Sequence, residues 1–240
     1  LGNKRVKATH AGGFRILEAE PMPRRFVIFA NGELSDLDVA RGLASAADGL
    51  ICADGGYAHA QRLGLRPDAI VGDLDSLDVE AREALAGESV AFLVHPRHKD
   101  ETDLELALSY AIGQGAEEIV ILGALGGRLD QTMANLLLLA NPAWKDVPIQ
   151  VVEGRQKAFI VRGGETVTLA GTAGDTVSLI PLMGDASGVT LEGMEYPLLE
   201  DTIRFGSTLG VSNVLVSPPG RIHLRSGLLF VVRIKEGEKC

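Results

Sequence analysis

From Phe26 to Glu153 the chain repeats one unit, a short apolar run followed by a turn and a stretch of helical period. "RFVIFA" leads into "SDLDVARGLASAA", "GLICA" into "YAHAQRLG", and "DAIVG" into "DVEAREALAG". "VAFLV" then leads into "TDLELALSYAIGQG" and "EIVILG" into "RLDQTMANLLLLA", and "IQVVE" closes the series. Strands connected through helices lie parallel, and a parallel sheet needs cover on both faces. Local signals agree. Ser35 or Asp36 stands at a helix start, Gly64 at a helix end, and Asn141-Pro142 stops the fifth helix. Thr102 and Glu105 have capping-box spacing, ahead of a stripe of Leu104, Leu108, Ala111 and Ile112. The pattern predicts an α/β domain over residues 26–153, a Rossmann-like three-layer arrangement of a parallel sheet covered by helices.

After residue 154 the helical period is lost. "KAFIV", "ETVTLA", "TVSLIPL", "VTLEG", "TIRFG", "NVLVS" and "LLFVVRI" are short strands split by turn residues. They predict an all-β sandwich domain over residues 154–240. Residues 1–25 are basic with no continuous apolar core. They read as a partly disordered extension rather than a secretory signal.

Charge narrows the partners. The chain has 240 residues and a formal net charge of −9. It repels nucleic acid and anionic lipid, and no Lys/Arg run offers a local exception. Neither nucleic acid nor membrane is therefore expected as a partner. Two cysteines, Cys52 and Cys240, make no disulfide framework, so a reducing cytoplasm is the expected location.

Ligands of open α/β sheets bind beyond the carboxyl ends of the strands. Asp54 follows the second strand, Asp73 and Asp75 the third, Asp103 the fourth and Asp130 the fifth. Singly, each has an ordinary use: Asp54 in a turn before Gly55-Gly56, Asp103 as a complement to a helix dipole. Together they place several carboxylates on one rim, which is costly unless a cation neutralises them. Mg²⁺ takes carboxylate oxygens and water and usually binds substrate phosphates too. Asp54, Asp73, Asp75 and Asp103 are the candidate ligands. Asn31 and Gly32 after the first strand, and Gly123, Gly126 and Gly127 after the fifth, let backbone approach phosphate. Lys99, Thr102 and Arg128 join them on the same rim. These are not Walker A or GxGxxG loops, and the chain has no HExxH, GxSxG or CxxC motif.

The series "CADGG", "PDAIVGDLDSL", "DETDLELAL" and "GGRLDQTMANLLLL", in this order, resembles the thiamine pyrophosphokinase family. "GMEYPLLEDTIRFGSTLGVSN" is similar to that family's thiamine-binding stretch. The resemblance implies ATP as co-substrate, thiamine as acceptor, Mg²⁺, and a homodimer whose active sites use both chains. It implies Asp73, Asp75 and Asp103 as the metal and catalytic cluster, with Asp54 as the acid of "ADGG". It implies Arg128, Asp130 and Gln131 at the nucleotide phosphates, and Tyr196, Ser212 and Asn213 at thiamine. Met194-Glu195 departs from the family's usual Leu-Lys and puts an acid near the thiamine end. Two rivals exist. "VGDLDSL" also resembles the DxD motif of haloacid-dehalogenase-like phosphatases, but that motif usually follows the first strand and carries a Thr. A non-catalytic thiamine or nucleotide sensor would be marked by a broken acid cluster, and this one is intact.

Overall fold

The computed structural model describes residues 6–11, 14–19, 23–74 and 90–237. Val6–Ala11 (β1) and Phe14–Ala19 (β2) pair as an antiparallel hairpin. The repeating half then runs β3 (Arg25–Phe29), α1 (Leu37–Ser45), β4 (Gly49–Ala53), α2 (Tyr57–Leu63) and β5 (Ala69–Gly72). It continues with β6 (Ala91–Val94), α3 (Asp103–Gly113), β7 (Glu118–Leu122), α4 (Leu129–Leu138) and β8 (Ile149–Glu153). The helix expected over "DVEAREALAG" lies outside the described residues. Asp36 caps α1 by accepting from Val39 N–H at 3.0 Å, and Thr102 caps α3 by accepting from Glu105 N–H at 3.2 Å. Gly64 ends α2 at φ 64°, a left-handed conformation glycine adopts without steric penalty.

Alternate strand residues feed two cores, as a period of two requires. Ile28, Ile51, Val71 and Ile121 cluster with Leu104, Leu108 and Ala111 of α3. Val27, Phe29, Cys52, Ile70, Val120 and Leu122 cluster with Ala40 and Ala44 of α1 and with Ala60 and Leu63 of α2. Each fully buried aliphatic or Phe side chain contributes about 1.5–3 kcal/mol. Burial on both faces is why these strands read as unbroken apolar runs.

The remaining strands are β9 (Gln156–Arg162), β10 (Thr166–Leu169), β11 (Thr176–Pro181), β12 (Ala186–Glu192), β13 (Asp201–Ile203), β14 (Asn213–Val214), β15 (Gly220–Ser226) and β16 (Leu228–Ile234). β15 was not expected. Its inward Ile222 and Leu224 alternate with Arg221, His223 and Arg225, so no apolar run announces it.

The sheet does not end with the parallel strands of residues 26–153 but continues into antiparallel ones, making it mixed. Among the described residues the large sheet has ten strands in the order β14-β11-β16-β9-β8-β7-β3-β4-β5-β6. The stretch from β8 to β6 is parallel, while β9, β16, β11 and β14 add antiparallel strands. The cause is the link Gly154-Arg155 between β8 and β9, with Gly154 at φ 53°. Two residues can only reverse the chain into antiparallel pairing. The sandwich is the antiparallel end of this sheet packed on a four-stranded sheet, β10-β15-β12-β13. Val161, Val177, Leu179 and Val231 on one side share a core with Val189, Leu191, Ile222 and Leu224 on the other. No helix among the described residues is long and apolar enough to cross a membrane.

Candidate active site

Strand order reverses between β3 and β7: β4, β5 and β6 lie beyond β3, and β8 lies beyond β7. The helices that follow β3 and β7 therefore pack on opposite faces of the sheet, and ligands of such sheets bind at this switch point. A cleft of about 600 Å³ opens there. Asn31 and Gly32 after β3, Asp54 after β4 and Asp73 after β5 line it. So do Lys99, Thr102 and Asp103 at the start of α3, and Gly127, Arg128 and Gln131 at the start of α4. Asp130 is beside the cleft rather than in its wall. It pairs with Arg128, whose Nε and Nη2 donate to its carboxylate at 3.2 and 2.5 Å. That hydrogen bond holds the Asp130 carboxyl below its ordinary range and the guanidinium above its own. Asp75 lies outside the described residues.

The acids converge because of Gly72. A Cβ at this position would fall 2.8 Å from Asp54 Cβ and 3.1 Å from Asp103 Oδ1. Asp54 and Asp103, from different strands, thus close over one glycine. Lys99 Nζ donates to Asp103 Oδ1 at 2.5 Å. Among the described residues no three His, Cys, Asp or Glu side chains form a ready metal cluster. The donor chemistry nevertheless suits a hard cation, since Asp54, Asp73 and Asp103 offer carboxylate oxygens at one half-buried rim.

Backbone conformation is unusual at some of these places. Asp54 has φ 42°, Leu74 φ 60° and Ser212 φ 61°, and Glu200, away from the cleft, has φ 52°; all lie in the left-handed region that residues with a Cβ rarely occupy. Such conformations persist where surrounding structure forces them, and they concentrate at ligand sites. Leu74, buried and β-carbon-bearing, separates Asp73 from Asp75.

The glycine loops are bonded to each other. Gly32 N–H donates to Gly123 O at 2.7 Å, and Glu33 N–H to Leu125 O at 2.6 Å. A Cβ on Gly32 would fall 2.2 Å from Leu125 O, so only glycine fits. The Gly32 amide, expected to face phosphate, is thus engaged within the chain, and Gly32 shapes the wall. Sequence reasoning did not single out Arg97, Thr132 or Asn135, which also line the cleft. Asn135 donates to Ala124 O at 2.8 Å and fixes the β7 loop from below. Its mid-helix position within "MANLLLL" gave no sign of this.

Tyr196, Ser212 and Asn213 do not line the cleft of their own chain. Tyr196 is 63% exposed. Ser212 N–H donates to Ser178 Oγ at 3.0 Å. Asn213 is buried, and its carboxamide is spent on backbone: Nδ2 donates to Tyr196 O, and Oδ1 accepts from Tyr196 N–H and Val214 N–H.

Two family models match the chain. The thiamin pyrophosphokinase catalytic domain covers residues 40–151, and the thiamin pyrophosphokinase vitamin B1 binding domain covers residues 166–229. A thiamine pyrophosphokinase of Bacillus subtilis is 31% identical over 170 residues, 71% of this chain and 79% of that one. The chain belongs to the thiamine pyrophosphokinase family.

Solved thiamine pyrophosphokinases agree in shape. The Bacillus subtilis structure superposes with a TM-score of 0.76 at 27% identity, over 89% of this chain and 100% of that one. The Geobacillus thermodenitrificans structure gives 0.75 at 29% identity, over 90% and 100%. The protein is thus an enzyme of the thiamine pyrophosphokinase type. Its catalytic-domain match contains Asp54, Asp73, Asp103 and Arg128, and its B1-binding match contains Tyr196, Ser212 and Asn213. Asn31 and Gly32 precede both matched ranges, although they wall the same cleft.

Proposed function

We propose that this enzyme transfers the pyrophosphoryl group of ATP to the primary alcohol of thiamine, releasing AMP and thiamine diphosphate, with Mg²⁺ as cofactor. The observation that carries this reading is the convergence of Asp54, Asp73 and Asp103 on one cleft, opposite the glycine loop and Arg128 that open α4. The thiamine alcohol oxygen bonds to the β-phosphorus as the bond from that phosphorus to the α,β-bridging oxygen breaks. Its proton passes to a carboxylate of the cluster, Asp103 or Asp75. Lys99, Thr102, Gly127, Arg128 and Gln131 orient the phosphates, with Asn31 and Gly32 shaping the wall, and such transfers depend mainly on positioning and charge. Asp54, Asp73, Asp75 and Asp103 would hold Mg²⁺, which when bound offsets the charge of the phosphate oxygens. Thiamine is a cation and suits an acidic chain.

Thiamine would meet the nucleotide across a homodimer. In support, the cleft and the Tyr196–Asn213 region share no wall within one chain. Leu129, Met133 and Leu137, at i, i+4 and i+8 of α4, are 77%, 49% and 49% exposed. An apolar stripe of this kind marks an interaction surface. A cytoplasmic location belongs to the same reading, with Cys52 a free thiol whose burial raises its pKa far above the usual range.

The test is incubation with ATP, Mg²⁺ and thiamine, followed by mass spectrometry. AMP and thiamine diphosphate are the expected products. ADP with thiamine monophosphate, or ATP hydrolysis alone, would refute the transfer. Sedimentation should show a dimer at assay concentration, and an active monomer would refute the shared site.

A further inference from the structure

His59 touches the loops that wall the cleft without lining it. It sits half-buried on α2, the helix that follows the Asp54 turn. Its Nε2 lies 2.8 Å from Gly32 O. A carbonyl oxygen only accepts, so Nε2 carries the proton and donates. The imidazole is steadied by Phe29, with ring centroids 6.1 Å apart at 46°. It also rests against the β7 loop, where a Cβ on Gly123 would come within 3.4 Å of Nε2. Gly32 and Gly123 are one of the pairs that join the β3 and β7 loops, beside Glu33 and Leu125. On the other side of the turn, Asn31 lies over Gly55, where a Cβ would fall 2.5 Å from its Cγ. The loops after β3, β4 and β7 are therefore interlocked, and His59 supplies a side-chain donor from the acid-bearing turn to the glycine pair.

We propose that His59 is a positioning residue for the nucleotide: its bond to Gly32 holds the glycine loops at a fixed offset from the Asp54 turn. This rests on the reading of the cleft as the ATP phosphate site. A glycine loop that is free to move must be ordered when phosphate binds, and that ordering weakens affinity. A loop already braced avoids the loss. The effect of removing the brace should fall on ATP and spare thiamine, whose residues lie in the sandwich.

The experiment compares His59→Leu, which keeps bulk without a donor, with His59→Gln, which keeps an N–H donor at similar reach. KM is measured for each substrate in turn, and ATP affinity by calorimetry without thiamine. His59→Leu should weaken ATP binding and raise its KM about tenfold, the scale of one lost hydrogen bond. The thiamine KM should stay within about two- to threefold. His59→Gln should recover most of the loss. If His59→Leu does not fold, His59→Asn, too short to reach Gly32 O, takes its place against His59→Gln. Equal behaviour of donor and non-donor variants, or a matching change in thiamine KM, would overturn the proposal. Wild-type enzyme that binds ATP but transfers nothing would refute the proposed reaction, while calorimetry still judges His59. Wild-type enzyme that does not bind ATP would refute both.

Discussion

Asn213 clasps the backbone of Tyr196 from seventeen positions away, donating to its carbonyl at 2.8 Å and accepting from its amide at 3.0 Å. A carboxamide occupied in this way would act on a ligand only through the residue it holds. Asn213→Ala should raise the thiamine KM about tenfold and leave the ATP KM within about two- to threefold. The double variant with Tyr196→Ala should be no worse for thiamine than Tyr196→Ala alone. A double-mutant cycle checks this, and additive effects would return Asn213 to direct thiamine contact. Melting should also fall, because the change strips partners from the half-buried backbone of Tyr196 and Val214.

Asp73→Asn should lose at least about a hundredfold in turnover, the scale of a lost catalytic electrostatic contact. Circular dichroism should match the wild type. Chelation by EDTA should abolish turnover and added Mg²⁺ restore it. Near-normal rates in a folded Asp73→Asn enzyme would sink the metal reading.

Gly72→Ala should cut activity by about tenfold or more, because the added methyl would enter the space where Asp54 and Asp103 meet. The position's φ of 155° adds strain. Titration with Mn²⁺, followed by its electron paramagnetic resonance signal, should show weakened cation binding. Unchanged binding would mean that the acids do not depend on closing over this glycine.

Asp175 should contribute to stability above acid pH. It is 0% exposed, and burial alone would raise its pKa. The N–H and hydroxyl of Thr172, the N–H of Glu236 and the Arg233 guanidinium more than compensate and hold it below the ordinary value. A depressed native pKa stabilises the fold above the unfolded value, about 3.9. That contribution disappears as pH falls through the native value. Asp175→Asn should therefore melt below wild type at pH 6, with the gap narrowing from about pH 4 downward. Melting curves across pH would show it, and a gap that stays constant in acid would contradict it.

The sequence disclosed which acids line the cleft better than it disclosed their surroundings. Asp54, Asp73 and Asp103 were legible because a parallel sheet sends every strand's carboxyl end to one side, whatever the packing. The role of Asn213 was not legible. Whether a carboxamide faces a ligand or a neighbouring backbone depends on contacts far along the chain. His59 was hidden for the same reason, since its partner Gly32 belongs to another loop. In the sandwich, β15 escaped because its arginines and histidine interrupt the apolar run. The join between halves did leave a trace in "IQVVEGRQKAFIV". Two strand-like runs separated by Gly154-Arg155 are a hairpin signal, and reading them as a boundary missed the antiparallel continuation.

That hairpin makes the two halves one mechanical body. Hinged enzymes swing about a linker, yet here the place where a linker would sit is a ladder from Glu153↔Gln156 to Gln150↔Phe159. Rocking one half on the other would break the hydrogen bonds of this ladder. Cutting the chain after Glu153 would also leave two raw strand edges, β8 on one fragment and β9 on the other. Bare edges of that kind invite aggregation. The ranges that match the catalytic and B1-binding family models are thus joined through one continuous sheet.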